Sequence, residues 1–79
     1  MPTRVPLTQF VPGQRGIIAS VEGPDGLRQR LAALGFRAGR ALVVLRRARF
    51  RGPLHVRVGT TEVALRLAEA GGVSLRPAP

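Results

Sequence analysis

LHVRVGTTEVAL, residues 54–65, alternates aliphatic and polar residues on both sides of a Gly-Thr pair. Alternation with a period of two is typical of a strand with one buried face, and a glycine-containing pair between two such runs is typical of a hairpin turn. A turn at Gly59 and Thr60 places Val56 opposite Val63 and gathers every large aliphatic residue of the stretch on one face. The sequence therefore predicts a β-hairpin that contributes one face to a core.

Three further segments have strand character, at residues 14–22, 41–47 and 73–77. Glycine and proline residues separate the segments at intervals of about five to nine residues. Five short strands with apolar faces are buried most economically in a small, strongly bent sheet or a partly closed barrel. We therefore expect a mainly β fold, formed as a single domain over residues 1–79.

One short helix is expected beside this sheet, over about residues 26 to 34. Leu27, Leu31 and Leu34 recur at the i, i+4 and i+7 spacing that forms one apolar stripe on a helix. Asp25 is expected to cap the N-terminus, and Gly35 is expected to take the left-handed position that ends the helix. Because a helix of about nine residues is marginal alone, the leucine stripe is predicted to pack in the core.

The charge of the chain is its most unusual compositional feature. Thirteen arginines and no lysine stand against four carboxylates, which gives a net charge of +9. Such a surface attracts phosphate backbones, anionic lipid and acidic protein faces alike, so charge alone does not identify the partner. The chain has no cysteine and no signal-peptide pattern, and its longest apolar run, residues 41–45, is too short to span a membrane. A cytoplasmic location is expected.

The side-chain inventory argues against an enzyme. The chain has a single histidine, no cysteine, no tyrosine and no glycine-rich phosphate-binding loop. His55 and Glu62 share one face of the predicted hairpin, but two ligands make a weak metal site, and Arg57, expected to pair with Glu62 across the strands, repels cations. We expect no catalytic residue, no cofactor and no resident metal, although direct metal binding through His55 or Glu62 stays open.

Four motifs occur in a recognisable order: LTQFVPGQRG at 7–16, RLAALGFRAG at 30–39, GPLHVRV at 52–58 and EAGGVSL at 69–75. This pattern resembles the FeoA family, small cytoplasmic accessory proteins of bacterial ferrous iron uptake. The resemblance implies an SH3-like small β-barrel with one inserted short α-helix. It also implies protein contact with FeoB, a membrane permease that carries a cytoplasmic GTPase domain. Ala38 departs from the family pattern, in which proline is common, so this turn should be less rigid.

The same barrel occurs as the C-terminal domain of iron-dependent repressors, which carry an N-terminal DNA-binding region. Only a short lead precedes the first motif here, so we expect a free-standing protein.

Five residues are expected to contact the partner: Phe36, Arg37, Arg49, Phe50 and Arg51. The last three belong to RRARFRG, residues 46–52, a predicted loop that combines positive charge with an aromatic ring. Its arginines suit attraction to an acidic protein face or to the inner membrane surface. The alternative is a solubilising loop with Phe50 folded back onto the barrel.

Two other functions are weighed against this one. PGQRGIIASVEG, residues 12–23, loosely resembles the turn and strand of KOW-type nucleic-acid modules, and the positive charge favours RNA, but three aromatic residues are few for base stacking. A peptide-binding SH3 module needs an aromatic-lined groove, and the chain has no tryptophan or tyrosine. The family pattern along the whole chain outweighs both alternatives.

Overall fold

The computed structural model describes residues 3–78. Six antiparallel strands form one sheet in the order β1-β6-β2-β3-β4-β5, with β1 and β5 at its edges, so the sheet is bent but not closed. The strands are β1 (Val5–Pro6), β2 (Arg15–Val21), β3 (Ala41–Arg47), β4 (Leu54–Val58), β5 (Thr61–Leu65) and β6 (Val73–Pro77). A 3-10 turn (Leu7–Gln9) follows β1, α1 (Asp25–Ala33) joins β2 to β3, and α2 (Leu67–Ala70) joins β5 to β6.

The hairpin of β4 and β5 has the register that the sequence predicts. Leu54 lies opposite Leu65, and Val56 lies opposite Val63. The other three expected strands are also present, with β2 one residue shorter at each end. The structure adds β1 and α2, which are two and four residues long and leave no periodic pattern in the sequence.

Helix α1 begins one residue earlier than expected, and the prediction that Asp25 caps it is wrong. Pro24 is the N-cap residue, in an extended conformation and without a side-chain hydrogen bond. Asp25 lies inside the first turn, where its carboxylate accepts a hydrogen bond from Arg28 and sits favourably at the positive end of the helix dipole. The prediction that Gly35 ends the helix in a left-handed conformation is confirmed, because Gly35 has a φ of 103°.

The core lies between the concave side of the sheet, α1 and the two short helical turns. Leu31 is fully buried, and Leu27 and Leu34 pack against the core from its margin, as the leucine stripe predicts. No charged or polar side chain of residues 3–78 is buried. The buried side chains are Leu7, Phe10, Ile18, Leu31, Phe36, Leu42, Val44, Leu54, Val56, Val58, Leu65, Ala70, Val73 and Leu75.

The start of β6 approaches the end of β2 very closely at Gly72. The backbone N–H of Glu22 donates a hydrogen bond of 2.8 Å to the carbonyl oxygen of Gly72. A Cβ atom at position 72 would overlap the carbonyl oxygen of Glu22. Glycine is therefore required here because there is no room for a side chain.

Candidate functional site

A tight turn joins β3 to β4 within residues 46–52. The N–H of Gly52 donates to the carbonyl oxygen of Arg49 at 3.0 Å, which closes a four-residue β-turn. Its two central residues, Phe50 and Arg51, have φ angles of 56° and 62°. Left-handed backbone at both central positions defines a type I′ turn, which normally holds asparagine, aspartate or glycine. For other residues this conformation costs roughly 1–2 kcal/mol each.

The turn presents an aromatic ring to solvent among arginines. Phe50 is 97% exposed, so the alternative in which it folds back onto the barrel is wrong. Arg46, Arg49 and Arg51 are also exposed. The structure therefore brings together the three site residues that the sequence placed in this loop.

A β-bulge sets the base of the turn. The register between β3 and β4 shifts after Val44, so that Arg46 lies opposite His55 and Arg47 lies opposite the buried Leu54. The shift leaves Arg46 on the outer face beside His55. Arg47 instead reaches the segment after β1, where its Nη2 donates to the carbonyl oxygens of Thr8 at 2.7 Å and Phe10 at 2.9 Å. Arg47 thereby ties the hairpin to the N-terminal segment.

A second exposed apolar residue lies at the same end of the molecule. Val11 is 58% exposed and begins a turn in which Gln14 N–H donates to its carbonyl oxygen at 3.0 Å. The N–H of Gly13 in that turn donates to the carbonyl oxygen of Val44 at 2.8 Å, which places the turn beside the middle of β3. We call Val11 and residues 46–52 together the arginine tip. Sequence analysis missed Val11, although the VPGQ turn motif marks it.

The arginine tip is built from segments without negative charge. The four carboxylates of the chain are Glu22, Asp25, Glu62 and Glu69, so residues 3–21 and 26–61 contain none. Asp25 and Glu69 are moreover engaged by Arg28 and Arg30. The positive charge of the tip is therefore not offset by acidic residues of its own segments.

The other two predicted site residues lie elsewhere. Arg37 is exposed in the connection that precedes β3, whereas the turn follows β3. Because the two ends of a seven-residue strand lie about 20 Å apart, Arg37 is distant from the turn. Phe36 is only 2% exposed, and its N–H donates to the carbonyl oxygen of Leu31 at 2.9 Å. The expectation that Phe36 contacts a partner is corrected: its ring fills the core below the end of α1.

Within residues 3–78 no group of three or more histidine, cysteine, aspartate or glutamate side chains could hold a metal ion. Arg57 lies opposite Glu62 as predicted, but in that same range no ion pair joins them. A surface groove of about 390 Å³ lies over β2 and β3, with Arg15 and Arg57 among its lining residues and no carboxylate.

The helices of the structure are short. In the part of the chain from residue 3 to residue 78, none is long and apolar enough to cross a membrane.

A small antiparallel sheet, a short inserted helix and a basic turn tipped by an exposed aromatic ring define a small basic β domain. The FeoA domain model matches residues 5–77, and the chain belongs to the FeoA family. This confirms the family that the motif order indicated.

Solved structures agree with this assignment. The crystal structure of an iron uptake regulatory protein, FeoA, is 32% identical with a TM-score of 0.85, over 96% of this chain and 100% of that chain. FeoA of Chlorobium tepidum is 29% identical with a TM-score of 0.90, over 95% and 71%. FeoA of Stenotrophomonas maltophilia, crystallised with zinc and described as a prokaryotic SH3 domain protein, is 30% identical with a TM-score of 0.76, over 87% and 86%. The expected SH3-like fold is confirmed. No protein of curated function matches the chain significantly.

Proposed function

We propose that this chain is a cytoplasmic accessory protein of bacterial ferrous iron uptake that acts by binding the GTPase domain of FeoB and catalyses no reaction itself. The observation that carries the proposal is the match of the FeoA domain over residues 5–77. Residues 1–79 act in it as a single domain.

The distribution of ionisable groups supports a role without catalysis. Acid–base or nucleophilic chemistry needs reactive side chains held close together. Here the single histidine, His55, lies opposite Ala64, and two of the four carboxylates are engaged by arginines. Nucleotide hydrolysis in the complex belongs to the GTPase partner.

The contact surface in this proposal is the arginine tip, with Arg49, Phe50 and Arg51 at its centre. Long exposed arginines and an exposed aromatic ring are the residue types enriched at the energetic centres of protein interfaces. Their positive charge suits an acidic face on the partner and accelerates the encounter. Arg37 is a separate contact about 20 Å away, at the other end of β3.

A binding titration tests the proposal. The purified protein is titrated against the GTPase domain of its cognate FeoB at several salt concentrations, in parallel with a single-stranded RNA. We expect saturable binding to the GTPase domain at physiological salt, and only weak RNA binding that salt abolishes. Tight, salt-resistant RNA binding without contact to the GTPase domain would instead support the nucleic-acid function.

Charge-reversal variants test the surface. Arg49→Glu with Arg51→Glu is expected to weaken binding about tenfold or more while leaving the melting temperature near that of the wild type, because both side chains are exposed. Arg76→Glu with Arg15→Glu is the matched control, since both residues are exposed and lie on β6 and β2, outside the β3–β4 hairpin. Equal losses of affinity in the two double variants would mean that binding depends on net charge and not on the position of the arginines. Arg37→Glu alone tests the second contact.

A further inference from the structure

Two features of the type I′ turn are unfavourable in the isolated protein. The backbone is left-handed at Phe50 and Arg51, where neither residue is glycine or asparagine. The ring of Phe50 is 97% exposed, so it gains nothing from burial. A turn with Asn and Gly at these positions would close the hairpin without either disadvantage. The observed residues therefore suit something other than stability of the domain.

We infer that the turn is a preorganised anchor that inserts the ring of Phe50 into an apolar pocket of the protein partner, and that carboxylates line the rim of this pocket and pair with the surrounding arginines. The inference rests on the proposed function and specifies the chemistry of the contact. In this inference the ring of Phe50 supplies most of the binding affinity, and the turn fixes the direction from which the ring enters the pocket.

The backbone around the ring is held in place on both sides. The Gly52 N–H to Arg49 carbonyl bond and the Ala48 N–H to Pro53 carbonyl bond, both 3.0 Å, close the hairpin end. Below them, Arg47 binds the carbonyl oxygens of Thr8 and Phe10. A backbone held this way loses little conformational freedom on binding, so only the side-chain torsions of Phe50 must be fixed in the complex.

A shaped pocket fits these observations better than a lipid surface. The headgroup region of a bilayer is fluid and accepts an aromatic ring in many orientations, so a fixed and strained turn brings no advantage there. A pocket in a folded protein accepts the ring in one orientation only.

The acidic rim follows from the charges around the ring. Arg46, Arg49 and Arg51 are exposed, and the segments that form the tip contain no carboxylate to neutralise them. Carboxylates on the partner would form charge-assisted hydrogen bonds with these guanidinium groups.

The experiment compares three variants of the full chain in titration against the cognate FeoB GTPase domain. Phe50→Ala removes the ring and is expected to raise the Kd about 30-fold or more, whereas Phe50→Leu, which keeps apolar bulk, is expected to lose less. A single glycine inserted between Phe50 and Arg51 preserves every side chain but loosens the turn. It is expected to raise the Kd at least tenfold, mainly through faster dissociation. Arg76→Ala is the control, and circular dichroism verifies that each variant is folded.

The outcomes separate this inference from the proposed function. A wild-type protein that does not bind the GTPase domain overturns the proposed function, and the inference with it. Wild-type binding that Phe50→Ala leaves unchanged overturns the inference alone. Unchanged binding by the glycine insertion overturns the preorganised turn. A parallel titration with phosphatidylglycerol vesicles identifies the remaining alternative: if Phe50→Ala weakens vesicle binding and not GTPase-domain binding, the ring serves a membrane contact and the inference is refuted.

Discussion

Replacement of Gly72 by alanine should destabilise the domain strongly, because the added methyl group has nowhere to go. Its Cβ would overlap the carbonyl oxygen of Glu22, which is backbone and cannot rotate away. The backbone segments around Glu22 and Gly72 must move apart by about 1 Å to reach an ordinary contact distance. That movement breaks or stretches the 2.8 Å hydrogen bond from Glu22 N–H to the carbonyl oxygen of Gly72.

The expected loss follows from two contributions. Overpacking costs about 1–3 kcal/mol, and the weakened hydrogen bond costs about 1 kcal/mol. The sum of about 2–4 kcal/mol is a large share of the roughly 4–12 kcal/mol that a domain of this length has in total. For a domain of this size the melting temperature should fall by roughly 10–30 °C.

Thermal and urea unfolding followed by far-ultraviolet circular dichroism measures this loss, since the chain has no tryptophan or tyrosine for fluorescence. Gly71→Ala is the matched control. A Cβ at Gly71 would lie 3.5 Å and 3.6 Å from the nearest carbonyl oxygens, which is ordinary contact, so its stability should change by about 0.5 kcal/mol or less. Equal stability of Gly72→Ala and the wild type would refute the close approach of β6 and β2.

Three further changes test other parts of the structure by urea unfolding. Leu31→Ala should cost about 2–5 kcal/mol, because it empties a fully buried site beneath α1; a loss under 1 kcal/mol would mean that the leucine stripe faces solvent. Arg47→Gln should cost about 1 kcal/mol through its two carbonyl contacts, while Arg46→Gln at the outward position should be neutral. Arg51→Gly should stabilise the domain by up to about 1 kcal/mol and Arg51→Ala should not, since only glycine accepts the φ of 62° without strain; the reverse order would argue against the left-handed turn.

The β4–β5 hairpin was predictable because two independent signals coincide in it. The alternation of residues 54–65 defines the buried face, and the position of Gly59 and Thr60 defines the turn, and only one register satisfies both. The leucine stripe of α1 and the glycine that ends it were predictable for the same reason. The N-terminal cap was not, since proline and aspartate stand next to each other and either can occupy that position.

The contact surface was only partly predictable. The charge and aromatic character of residues 46–52 are visible in the sequence, but the left-handed backbone at Phe50 is not, because its neighbours are not typical of a type I′ turn. The bulge that exchanges the faces of Arg46 and Arg47 leaves no pattern in the sequence, and the carbonyl groups that Arg47 binds lie nearly forty positions earlier in the chain. The burial of Phe36 likewise depends on how α1 lies over the sheet.

The unequal edges of the sheet also limit how copies of this protein can assemble. At one edge, β1 is two residues long and one of them is Pro6, which has no N–H to donate, so this edge is a poor template for another strand. At the other edge, β5 offers five residues. Growth of a fibre by strand addition needs a compatible edge at each side of every copy, and here only one side qualifies. Edge-to-edge association through β5 would therefore stop at a pair of copies and would not extend into a fibre.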